Sequence, residues 1–326
     1  MINEKEISRI IVSRTDSIGD VMLTLPLCIR LKTLYPNATL IYLCASYTQS
    51  IVACFGPVDE ILTIETLTEM DSLQRKSALK ADVILHVFPN KKVARWANEA
   101  KIPWRVGTSH RLFHWWYCNK RVAFTRKKSV LSEAQLNFFL LLPLRPIPIP
   151  TFEEIRNVQD HFKVKENHFL YSNYVILHPF SKGSAVEYPL MNYVQLAEKC
   201  TAAGYQVLIT GTATEAQKIG SSFDGLDGVT NVAGQFTLQE LMPLIKQAQG
   251  FVACSTGPLH IAGALNVKTI GLFAPRKPID PGRWTPLGAR THCLVYDPSC
   301  QDCAADKACK CVEKIEVQHI LNGLLS

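Results

Sequence analysis

What the chain lacks narrows its function first. No apolar run is long enough to cross a bilayer: the longest, "FFLLLPL" at 138–144, is short and broken by Pro143. The opening "MINEKEISR" carries acids and no apolar core, so no secretory leader is predicted and a cytoplasmic protein is expected. There is no G-x-x-x-x-G-K-[ST], which argues against a P-loop NTPase. No G-x-G-x-x-G follows a strand pattern, which weakens a dinucleotide dehydrogenase. There is also no D-x-D, so a diphosphate held through a metal has no evident ligand pair. Charged residues are only 19% against 47% apolar, which excludes a disordered chain.

At 326 residues the chain suits one large domain or two medium ones. Lys and Arg (35) modestly outnumber Asp and Glu (28), with basic groups dense at 90–96 ("NKKVARW") and 110–128 ("HRLFHWWYCNKRVAFTRKK"). That excess favours anionic partners: phosphates, acidic lipid headgroups or nucleic acid. The basic residues form no known RNA- or DNA-binding module, so nucleic acid ranks last. Seven of the eleven cysteines are scattered, and most of these (Cys28, Cys44, Cys54, Cys200 and Cys254) sit in apolar segments, where buried free thiols are expected. Four cluster in "CQDCAADKACKC" (300–311), spaced C-x2-C-x5-C-x-C. Cys300, Cys303, Cys309 and Cys311 leave zinc, a disulfide or plain thiols open, with no metal as the main expectation.

Short β-branched runs alternate with helical patterns along the whole chain. Strands are predicted near 9–13, 39–44, 61–64, 82–87 and 104–107, with a helix over 20–34. The pattern restarts at "YVILHP" (174–179) and continues through strands at 205–211, 250–255 and 268–273. Helices are predicted at 192–204, 237–249 and 258–265, and a final amphipathic one closes the chain. Repeated strand–helix–strand units imply two parallel sheets with helices on both faces. The Pro-rich 144–154 segment begins the crossover, giving expected domains of 1–165 and 166–326. Ligands in such sheets bind beyond the carboxyl ends of the strands. Asp20, Ser181, Thr212 and Thr256 all follow predicted strands.

Each motif carries two readings. In "TDSIGD" (15–20), Asp20 is either a helix cap or a proton acceptor positioned by Gly19. In "CSTGPLHIAGAL" (254–265), Thr256, Gly257 and Pro258 open a helix whose free N–H groups suit an anion. His260 in its first turn would donate to a phosphate oxygen; otherwise this is a capped core helix. "HPFSKGSAVEYP" (178–189) places Ser181 and Lys182 in a loop suited to phosphate, or in an ordinary connection. Glu215 in "GTATEAQ" would accept a ribose hydroxyl or simply favour the next helix start. Arg105, Arg111 and Arg121 would meet acidic sugars, with Trp115 and Trp116 at a membrane surface, unless the tryptophans are core and the arginines solvated.

"RTDSIGDVMLTLPLCIRLKTLYPNA", "HPFSKGSAVEYP", "VAGQFTLQELMPLIKQAQGFVACSTGPLHIAGAL" and the cysteine-bearing tail resemble glycosyltransferase family 9. This is the heptosyltransferase family that builds the inner core of lipopolysaccharide. The resemblance runs nearly end to end, and its most specific parts are the S-x-G-D turn and the T-G-x-x-H helix start. It implies an α/β GT-B fold, two Rossmann-like domains with parallel sheets facing across a cleft. It also implies an inverting, metal-independent transfer that needs no cofactor beyond a nucleotide sugar, ADP-heptose above all. Asp20 falls on the family's general base, in a turn where Ser17 and Gly19 would lie near the acceptor. Thr256, Gly257 and His260 fall on donor contacts, Glu215 on a ribose contact and Phe236 on an adenine contact. The implied acceptor is an acidic lipid-linked saccharide, met at the cytoplasmic face of the inner membrane. Two departures stand out: Ser255 replaces the family's usual Asp, and Tyr188-Pro189 replaces its Trp-Pro, leaving Lys182 and Ser181 to meet the phosphates. Open alternatives are a GT-B enzyme with another nucleotide sugar, a nucleotide-sugar epimerase, or a non-catalytic nucleotide-sugar binder.

Overall fold

A computed structural model describes residues 7–126, 129–305 and 309–326. The chain forms two compact units. The first runs to Ile155 and takes in Asp160–Lys163; the second comprises Arg156–Gln159 and Val164–Ser326. The chain therefore leaves the first unit at Arg156, returns at Asp160 and leaves again at Val164.

In the first unit six strands form one parallel sheet. They are Arg9–Ser13 (β1), Thr39–Cys44 (β2), Glu60–Thr63 (β3), Val83–His86 (β4), Trp104–Thr108 (β5) and Lys120–Val122 (β6), ordered β3-β2-β1-β4-β5-β6. β1 is central, and Ile11 pairs with Ile41 on one side and Ile84 on the other. Its apolar run is continuous rather than alternating because both faces of a parallel sheet are covered. Ile10, Ile11 and Val12 are accordingly buried. The helix Lys91–Glu99 covers one face, burying Val93, Ala94, Trp96 and Ala97 on one stripe. It starts where Asn90 accepts hydrogen bonds from the N–H groups of Lys92 and Val93.

The second unit repeats the scheme. Its strands are Tyr174–His178 (β7), Gln206–Ile209 (β8), Val229–Asn231 (β9), Gly250–Cys254 (β10), Thr269–Leu272 (β11) and Thr291–Leu294 (β12), ordered β12-β11-β10-β7-β8-β9. Read from the other edge, this is the order of the first sheet. In each sheet the first strand has its successor on one flank and its fourth strand on the other. The chain reverses direction across the sheet between them. That reversal opens a crevice at the carboxyl ends of β1 and β4, and of β7 and β10. The helices Leu190–Ala202 and Val317–Leu325 pack on each other over the second sheet.

Two expectations need correction. The helix predicted over 20–34 is broken into Ile18–Met22 and Leu25–Leu34. Pro26 lacks the N–H that would bond Met22, and its ring would strike that carbonyl, so a new helix starts with proline in its first turn. The Thr24 hydroxyl bonds the Asp20 carbonyl at the break (2.9 Å). The sequence reading also lacked β6, β9 and β12. These have three or four residues, lie toward or at the sheet edges and are partly exposed, so they carry no apolar run.

Candidate active site

Asp20 stands at the switch point of the first sheet, in the first turn of the helix after β1. Ser17 is the N-cap residue, but its side chain makes no capping bond. Its hydroxyl instead donates to Asp20 Oδ2, while Oδ1 accepts from Arg14 Nη2. The carboxylate is thus held by two side chains, and its side chain keeps 14% exposure. Of the two readings of this turn, capping is not what the geometry shows.

Arg14, absent from the sequence reading, organises the surroundings. Its side chain is 3% exposed, and its fork reaches three acids: Nε to Asp16 (2.7 Å), Nη1 to Glu133 (3.0 Å) and Nη2 to Asp20. Glu133, fully buried, also receives Arg126 Nε at 2.9 Å. Burial pulls the Arg14 guanidinium down, but Asp16 and Glu133 outweigh it and hold it above its ordinary value. Burial lifts the Asp16 carboxyl above its ordinary value despite Arg14. The directions are compatible because one cation is shared among acids that also repel one another. Arg126 Nη2 bonds the Val87 carbonyl just past β4 (3.1 Å), and Asn90 bonds Thr15 (3.3 Å), joining the two strand ends at the crevice.

The basic stretch at 110–128 divides in use. Arg105, on β5 just before it, bonds the carbonyls of Tyr117 and Ile102 through its guanidinium. Arg121 bonds the Cys118 carbonyl and lies over the Trp115 ring, 4.4 Å from its centroid. Arg111 is exposed at the start of the helix Leu112–Tyr117. That helix projects Leu112, Trp115 and Trp116, which are 78%, 57% and 70% exposed, so the tryptophans are not core. Lys127 and Lys128 lie outside the described residues.

In the second unit the predicted segments meet at the ends of β7, β8 and β10. The Ser184 hydroxyl bonds the Ser255 carbonyl (3.2 Å), tying the 181–189 loop to the start of the helix Gly257–Ala264. Thr256 caps that helix by accepting from the Leu259 N–H. The Ser181 hydroxyl and N–H both donate to Glu187 Oε1 (2.8 Å each), so Ser181 shapes the loop from within. Lys182 and Gly183 follow with φ of 50° and 79°, a left-handed pair that glycine makes easier. Lys182 is exposed. Glu215 Oε2 closes a capping box with the N–H and hydroxyl of Thr212 (2.7 and 2.9 Å), so the helix-start reading of Glu215 is realised. Burial pushes its pKa up, but these bonds, His178 and the Lys182 N–H hold it below the ordinary value. Phe236 is half-buried against Phe169, edge to face at 6.0 Å.

His260 is 2% exposed, beside Trp284, and burial lowers its pKa to about 4. It therefore brings a neutral imidazole, whose Nδ1 has no partner among the described residues. The positive character of this helix start comes from its N–H groups. Burial likewise lowers His178 to about 4 and His86 to about 3. All three lie below the ordinary value near 6.5, so the unfolded chain binds protons that the folded one refuses. Stability is then complete above about pH 6.5 and falls with acidification, by up to about 1.4 kcal/mol per pH unit for each histidine. Thermal melts should be level from neutral to mildly alkaline pH and decline steadily toward pH 5. A flat profile to pH 5 would mean these imidazoles titrate freely in the native state.

The sequence profile of glycosyltransferase family 9 (heptosyltransferase) matches residues 74–313. A Haemophilus influenzae protein, named no further than a provisional glycosyltransferase, is 26% identical over 89% of each chain. Lipopolysaccharide heptosyltransferase 3 of Escherichia coli is 25% identical over 78% of this chain and 80% of its own. The solved structure of E. coli ADP-heptose lipopolysaccharide heptosyltransferase II superposes with a TM-score of 0.77 at 19% identity, covering 98% of both chains. At that identity the likeness speaks for the fold, α/β of GT-B type with two parallel six-stranded sheets. Asp20 precedes the profile match. A profile match over most of the sequence settles the family: the chain belongs to glycosyltransferase family 9, the heptosyltransferase family, and is a glycosyltransferase.

Proposed function

We propose that this enzyme moves a heptose from ADP-heptose to the inner core of lipopolysaccharide, with inversion and without a catalytic metal. The observation that carries the reading is the Asp20 carboxylate, placed past β1 and held by Arg14 and Ser17 instead of by its own helix. An acceptor hydroxyl is a poor nucleophile until its proton leaves. Asp20 takes that proton as the oxygen bonds the anomeric carbon, and the bond from that carbon to the diphosphate breaks on the opposite face. ADP leaves, and a single carboxylate suffices.

Charge growing on the diphosphate is met in the second unit by the N–H groups opening the helix Gly257–Ala264 and by Lys182. Phe236 offers an apolar face to adenine. Glu215 holds the turn on which a ribose would rest, and its contact with the ribose itself remains part of this proposal. Ser255, in place of the Asp that the family resemblance implies, leaves the sugar hydroxyls a neutral partner. The first unit supplies the acceptor side, where Arg111 and Arg121 suit acidic sugars. Leu112, Trp115 and Trp116 suit the headgroup region of a membrane. Support for the donor comes from the ADP-heptose named for the E. coli structure.

The test is a thermal-shift panel of ADP-, GDP-, UDP- and CDP-linked sugars, repeated with Lys182→Ala. ADP-linked ligands should shift Tm most, and the variant should bind ADP on the order of tenfold more weakly, about 1.4 kcal/mol. A UDP preference overturns the heptose donor. Carrying the transfer assay into anionic vesicles, with Trp115 and Trp116 replaced by serine, reads the membrane contact in the same experiment.

A further inference from the structure

Four thiols have no part in this chemistry. The Sγ atoms of Cys300, Cys303, Cys309 and Cys311 all lie within 4.8 Å of one another. Cys300 and Cys309 are 3.3 Å apart and Cys309 and Cys311 3.1 Å, and all four are free. A disulfide needs sulfurs about 2.05 Å apart and joins them only in pairs. These four converge on one point instead. An ion with tetrahedral Zn–S bonds of about 2.3 Å sets its sulfurs roughly 3.8 Å apart, between the shortest and the longest separations here.

The backbone around them is built for ligands. Cys300 is the N-cap of the helix Gln301–Ala304, whose turn brings Cys303 beside it. The Cys300 N–H bonds the Asp297 carbonyl (3.2 Å), fixing the first knuckle. In the second, the Cys311 N–H donates to Cys309 Sγ (3.3 Å), a bond that stabilises negative charge on sulfur. Cys303 and Cys311 are buried in the core of the second unit with Val312 and Ile315. The Tyr188 hydroxyl bonds the Ile315 carbonyl at 2.6 Å, so the stretch is anchored under the end of the 181–189 loop.

We propose that these four cysteines bind one Zn2+ as a structural tetrathiolate centre. Four protein ligands close the coordination sphere and leave no position for substrate, which separates this ion from catalysis. Thiolates are soft ligands, and a tetrahedral set of four suits zinc. Binding releases one proton from each of the four thiols, so affinity falls as pH falls. The ion fastens Cys300 and Cys303, and Cys309 and Cys311, to the core and supports the segment beneath Tyr188.

The test uses the full chain, purified under reducing conditions without chelator. Elemental analysis should find one zinc per chain, retained in Cys54→Ser and lost in Cys300→Ser and Cys311→Ser. Chelator should lower Tm of the wild type and restored zinc should raise it again. Because a cysteine variant can fail to fold, the wild type stripped of metal is also titrated with Co2+. Tetrahedral thiolate absorption, bleached by zinc, is expected. Protein that purifies without metal and gives no such cobalt spectrum, or that shows a disulfide within the cluster by mass spectrometry, overturns the site. Stoichiometric iron in place of zinc overturns the ion.

Discussion

Asp20→Asn is expected to slow sugar transfer by about 10²–10⁴-fold, the usual loss when a general base is removed. Affinity for the donor should stay near that of the wild type, since the donor groups argued above belong to the other unit. The substitution is nearly isosteric, and the Asn carbonyl still accepts from Arg14, so the fold should persist. What the amide cannot do is take a proton. If the residue served only the start of its helix, Asn would serve as well and turnover would be near normal. Single-turnover transfer measured beside donor-binding calorimetry separates the cases: lost rate with intact binding supports the base, and an intact rate removes it.

Arg14→Met is expected to lower the unfolding free energy by about 3–5 kcal/mol, the range for breaking a buried ion pair from one side. Glu133 is fully buried and would lose one of the guanidinium groups that reach it, and Asp16 and Asp20 would lose the one they share. Arg14→Lys should recover only part of this, because an ammonium cannot present three donors in the fork that meets three separate acids. Transfer should fall in both variants, since Asp20 loses one of the two groups that aim it. Denaturant titration is the measurement. A change below about 1 kcal/mol would place the cluster with weak surface pairs and deny it a structural role.

The strands at the centre of each sheet were legible because burial on both faces leaves an apolar run, as in Ile10-Ile11-Val12 and in Gly250–Cys254. Three of the four edge strands, β6, β9 and β12, were not, because half-exposed segments such as Val229–Asn231 carry no such signature, whereas the edge strand β3 kept enough of it to be read. Asp20 and the Thr256 turn could be found because strand ends and helix starts are local features. The pair Arg14–Glu133 could not, since its members are 119 residues apart and each looks ordinary in its own neighbourhood. A charged residue directly after a buried strand was the one available hint. His260 shows a different limit. Its place in the first turn was readable, but its charge state depends on burial that only the folded chain sets.

The path of the chain between 155 and 164 bears on how this enzyme can be dissected. Arg156 is clamped to the second unit, its guanidinium and carbonyl engaged by the carbonyl and N–H of Gly288. A few residues on, Phe162 packs on Phe55, and Lys163 and His161 bond Cys54 and Gly56 of the first. A fragment ending at 155 would leave the Phe55 ring bare, and one beginning at 164 would lose the Gly288 clasp. Expression of either half alone therefore calls for overlapping ends, and a protease nick in this stretch would leave two interlaced pieces, each still holding a strap from its neighbour.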